Sequence, residues 1–136
     1  MSSSIVRAAA RAVVTAPTWP SEYIETVGDA PDPNTLPDAW SGIGFDGQSD
    51  NPIGVGPTAT IRETGRVTFH FFRRAGSGDA SVVSDAELAA GLIRAHSWAA
   101  SAIALVSISA PVIPDEGGLG GFLEAQIQVD YERDHL

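Results

Sequence analysis

Residues 65–98, GRVTFHFFRRAGSGDASVVSDAELAAGLIRAHSW, decide how the chain is read. The first half is a strand. Val67, Phe69 and Phe71 fall on one side of a period of two, and Arg66, Thr68, His70 and Phe72 on the other. Ala75 to Ser81 supplies a turn rich in Gly, Ser and Asp. The second half is an amphipathic helix in which Ala86, Ala89, Ala90 and Ile93 form an apolar stripe flanked by Leu88 and Leu92, with Glu87 and Arg94 opposite. Ser84-Asp85-Ala86-Glu87 has the spacing of a capping box, which places the start of that helix at Ser84.

Working outward, Ser2 to Ser4 offer caps for a first helix running to about Val14, with Ile5, Ala9, Ala12 and Val13 at helical spacing, and Pro17 and Pro20 ending it. Tyr23 to Val27 is a short candidate strand. Gly28 to Asp38 is a turn-rich linker, because its prolines withhold backbone donors. Ala39 to Phe45 reads as another strand, with Trp40 on one side and Ile43 and Phe45 on the other, and Asp46 to Pro57 reads as a long loop or hairpin tip. Thr58 to Glu63 is expected to pair back on the long strand around Glu63-Thr64-Gly65. Ile103 to Ile108 reads as a strand buried on both faces, and Gly117 to Gly121 as a turn. Leu123, Ala125, Ile127, Val129 and Tyr131 alternate with polar residues in the last strand. The whole predicts one α+β domain over residues 1–136, a mostly antiparallel sheet of about four to five strands with two helices packed on one face.

Composition narrows function by exclusion. The chain has no Cys, so disulfides and thiolate chemistry are ruled out. All eight cationic residues are Arg, and the formal charge is −9. Between Ala12 and Ile61 stand seven acids (Glu22, Glu25, Asp29, Asp32, Asp38, Asp46 and Asp50) and no base, a surface that repels nucleic acid. The uncharged stretch Ala95 to Pro114 is broken by four serines and two prolines and does not read as a membrane span. Residues 1–17 lack the apolar stretch of a secretory signal and read as the first helix.

The chemistry-bearing residues form no sharp motif. Asp46-Gly47-Gln48-Ser49-Asp50-Asn51 has oxygen ligands but not the order of a calcium loop, and reads as a turn. His70, His96 and His135 share no ligand spacing; His70 approaches Asp130 if their strands are neighbours. Glu124, Asp130 and Glu132 share a strand face that reads as solvated. Gly54-Val55-Gly56-Pro57 and Gly117-Gly118-Leu119-Gly120-Gly121 lack the features of phosphate loops. No catalytic residue, cofactor or metal is therefore expected. Arg73 and Arg74, with Arg66, are the candidate contacts for an acidic partner, and the acidic stretch containing Asp46 and Asp50 makes a second copy of the chain the natural one.

The strand GRVTFHFFRRAGSG, the capped helix after it and the Gly-rich turn leading to FLEAQIQVDYE resemble the tail terminator and related minor tail proteins of long-tailed bacteriophages and gene transfer agents. The resemblance runs by element order over nearly the whole chain, including the first helix and the strand from Trp40 to Phe45. It implies a structural virion protein without an active site. Such proteins form a ring, commonly of six copies, that caps the tail tube and joins it to the head–neck proteins. DNA would pass through without specific binding, and the protein would reside in the virion tail or neck, and in the host cytoplasm during assembly. The 46–57 segment is long for that pattern and suggests a tube-contacting insertion. Two other readings predict different observations: another head–tail joining protein differs in its neighbours, and a small ligand-binding or enzymatic domain predicts a closed apolar pocket near His70 and Asp130.

Overall fold

The computed structural model describes residues 3–25, 32, 34–56, 59–76, 79–114 and 121–135. In chain order these form α1 (Ser4–Val14), β1 (Glu22–Tyr23), β2 (Ala39–Ile53), β3 (Thr60–Arg74), α2 (Asp79–Ala95), a 3-10 turn (Trp98–Ser101), β4 (Ile103–Ile108) and β5 (Phe122–His135). The five strands make one sheet in the order β1-β2-β3-β5-β4, antiparallel except for the β1–β2 pair. The α+β class, the mostly antiparallel sheet and the two helices on one face are as the sequence predicts.

The core lies between that helix-bearing face and the helices. Val67, Phe69 and Phe71 of β3 and Ala125, Ile127, Val129 and Tyr131 of β5 meet Val82, Ala86, Ala89, Ala90 and Ile93 of α2. Phe69 and Phe71 have no exposed surface, which is worth about 1.5–3 kcal/mol each in apolar burial. The small side chains of α2 let the helix sit close to the sheet. α1 adds Val6, Ala9, Ala10, Val13 and Val14, with the Ser3 hydroxyl accepting from the Val6 N–H at 3.4 Å as the cap. Its buried stripe is rotated from the expected one: Ile5 is 42% exposed and Ala12 is exposed. After α1, Trp19 turns in against Phe69 and Phe71 and donates its indole N–H to the Ser41 hydroxyl.

Five local expectations are corrected. The segment 46–53 is not a loop but the outer arm of β2, paired with β3 as far as Ile53–Thr60, with a bulge between Asp46 and Ser49. No hairpin forms at Glu63-Thr64-Gly65, because β3 runs through it unbroken. Ser84 does not cap α2; the helix begins a turn and a half earlier, at Asp79, and Ser84 lies on its exposed side. β4 is an edge strand rather than a doubly buried one, with Ala104, Val106 and Ser107 exposed. β1 spans only Glu22–Tyr23; residues 26 and 27 lie outside the described residues, as do residues 28–31 and 33 of the linker and residues 117–120 of the Gly-rich turn.

Candidate assembly interface

The sheet face away from the helices carries most of the polar residues the sequence singles out. At one end it is apolar: Trp40 stacks on Phe72 at 4.1 Å between ring centroids, Phe122 meets Trp40 edge-on, and Leu36 covers them. Arg74 closes this end. Its guanidinium lies 4.7 Å from the Phe122 ring centre and donates to Asp38 and to the Leu36 carbonyl, both at 2.8 Å.

Further along the same face the register places opposite charges side by side. His70 Nδ1 lies 3.1 Å from Glu124, and Gln126 donates to the same carboxylate. Burial works to raise the Glu124 carboxyl, but the hydrogen bonds from His70 and Gln126 outweigh it and hold the group below the usual carboxylate range. His70 lies over Gly44, where a Cβ would come within 3.2 Å of Nε2. The expected His70–Asp130 approach does not occur. His70 is opposite Gln126, whereas Asp130 is opposite Arg66 and takes a hydrogen bond from its Nε at 2.8 Å. Arg66, with a second hydrogen bond from the Ser107 hydroxyl, depresses the Asp130 carboxyl. Arg62 does the same for Asp134 at the far end.

The five candidate contact residues therefore divide. Arg66 is paired with Asp130, Arg74 with Asp38, and Arg73 points to the helix side, where it grips the buried Asp85 of α2 with two hydrogen bonds of 2.7 and 3.0 Å. All three arginines serve the chain's own fold. Asp46 and Asp50 are exposed on the outer arm of β2. Asp46 stands opposite Arg66, and Asp50 opposite Glu63. An open cleft of about 490 Å³ lies at the height of both bulges, lined by Asp46, Arg66, Val106 and Asp130 among others.

What sequence reasoning missed is the exposed apolar surface. Of the seven large hydrophobic side chains exposed among the described residues, five lie at two places. Ile53 and Val55 stand at the end of the β2–β3 hairpin, Val55 fully exposed. Val106, Val112 and Ile113 lie along the β4 side of the sheet, where Val112 bridges to Gln126 beyond the end of β4. Beyond Ser41 the outer edge of β2 has no neighbouring strand among the described residues, and neither has the outer edge of β4. An isolated Val in a Gly-rich tip and a bulged Val in an edge strand give no periodic signal.

In comparisons with known proteins, no family model and no curated protein matches the chain. Among the described residues, no helix is long and apolar enough to cross a membrane.

Proposed function

We propose that this chain is a structural protein of a virion tail, one subunit of a ring that caps the tail tube and meets the head–neck proteins. The observation that carries the proposal is the pair of separated apolar groups, Ile53 with Val55 and Val106 with Val112 and Ile113, on opposite sides of the sheet. Two different patches on opposite sides favour a heterologous contact, in which the hairpin end of one copy meets the β4 side of the next; such contacts close into rings when the rotation per step allows it. The element order that resembles tail terminators supports the same reading.

Charge shapes this assembly differently from the sequence reading. Arg66, Arg73 and Arg74 each pair with an acid of their own subunit, which leaves them less available to the acids of a neighbouring copy. Copies carrying a formal −9 repel one another, so apolar contact must overcome that repulsion. The excess acid also suits a lumen through which DNA slides without sticking.

Size-exclusion chromatography with light scattering and negative-stain electron microscopy test the reading. A ring whose population rises with concentration, or on addition of purified tail tube protein, is expected. A chain that stays monomeric at every concentration and ignores the tube protein would overturn it.

A further inference from the structure

We propose that Asp50, Glu63 and His135 form a binding site for one divalent transition-metal ion. One ligand atom from each lies within 4.8 Å of the others. The residues come from three adjacent strands whose registers fix their backbones: Asp50 of β2 is directly opposite Glu63 of β3, and His135 of β5 is opposite Ile61, two residues along from Glu63. A bound ion would draw these atoms in to ligand distances of roughly 2.0–2.2 Å.

The donor set selects the ion. Two carboxylates and one imidazole suit zinc, cobalt or manganese, whereas calcium and magnesium favour all-oxygen cages. Three protein ligands leave a coordination position for water, and the exposed Asp50 gives an entry path. Arg133 moderates the affinity, because its positive charge lies beside the site.

An independent observation at Glu63 points the same way. Its side chain is 1% exposed. Its Oε2 accepts from the Tyr131 hydroxyl at 2.6 Å and from the Ser3 N–H at 3.5 Å. The Arg133 guanidinium approaches the other oxygen only to 3.9 Å, too far for a hydrogen bond. A carboxylate taken out of water needs close charge compensation. Arg133 supplies part of it at ion-pair distance without a hydrogen bond, and an ion held also by Asp50 and His135 would add the direct ligation that Arg133 does not. Tyr131 would then be the outer partner that orients the Glu63 ligand. A bound ion would tie the outer arm of the β2–β3 hairpin to the end of β5, and this holds whether or not the chain forms a ring.

The test uses full-length protein freed of any polyhistidine tag and stripped with a chelator. Calorimetric titration with Zn²⁺, and visible absorption with Co²⁺, should show one ion per chain. Asp50→Asn and His135→Gln should each weaken binding by more than the roughly 10–100-fold that loss of an outer partner costs. His96→Ala, whose ring packs on Trp98, should bind as the unaltered chain does. Both altered ligands lie outside the buried core, and circular dichroism reports that the fold is kept. Zn²⁺ should raise the melting temperature of the unaltered chain and not that of the ligand variants. No binding up to millimolar Zn²⁺, or equal affinity in both ligand variants, would overturn the proposal.

Discussion

Replacing Arg73 by alanine removes the partner of a carboxylate that the fold buries. Asp85 sits on the inner side of α2 at 8% exposure, and the Arg73 side chain reaches it from the end of β3 with the fork geometry of a bidentate pair, itself a third exposed. Removing one partner of a buried pair costs about 3–5 kcal/mol, and the partial exposure of Arg73 puts the expected loss at the low end, about 3 kcal/mol. For a chain of this size that is a fall in melting temperature of roughly 9–15 °C. The double change Arg73→Met with Asp85→Leu replaces both charges with apolar groups of similar size, and should return the protein to within about 1 kcal/mol of its starting stability. Urea unfolding of the three proteins measures this directly. Two results would refute the reasoning: an Arg73→Ala loss of about 0.5 kcal/mol or less, typical of a surface change, or a double variant as unstable as the single one.

Other outcomes follow from the same structure. At Gly65 a Cβ would stand 2.7 Å from the Tyr131 hydroxyl, which is buried and committed to Glu63, so Gly65→Ala should cost about 1–3 kcal/mol in urea unfolding. Gly91, exposed within α2 with nothing near its would-be Cβ, should give the opposite sign, a gain of about 0.5–1 kcal/mol on change to alanine. Glu124 and Asp130 are held below the usual carboxylate range in the fold, so the unfolded chain takes up their protons first as pH falls. Their contribution is complete above the unfolded values of about 4 and is lost as pH falls through the lowered ones; the stability gap between the unaltered chain and Glu124→Gln should therefore shrink on acidification from pH 6 to pH 3. Self-association should strengthen with added salt, which shortens the range of repulsion between acidic copies to about 8 Å at physiological ionic strength.

The central strands were legible because their burial alternates. Phe69 and Phe71 on β3, and Ala125 to Tyr131 on β5, carry their faces in the order of their side chains. The outer arm of β2 was not, since its Gly, Asp, Asn and Pro residues have the composition of a turn and nearly all are exposed; pairing with β3, not burial, makes them a strand. Ser84 and Glu87 imitate a helix start although both lie on the exposed side of an established helix. The pairing of the arginines was hidden for another reason. Arg62 with Asp134, and Arg66 with Asp130, are separated by more than sixty residues and meet only through the β3–β5 register. The same holds for Asp50, Glu63 and His135, each unremarkable in its own segment.

The claim of a heterologous ring is tested most directly by mixing two crippled subunits. One carries Ile53→Asp and Val55→Asp at the hairpin end, and the other Val106→Asp and Ile113→Asp on the β4 side; all four side chains are exposed, so both should fold. Native mass spectrometry of each variant alone should show monomers, and the mixture should show one-to-one heterodimers, because only one competent contact remains per pair. A hairpin-end variant that still forms homo-oligomers, or a mixture that stays monomeric while the unaltered chain assembles, would contradict the account.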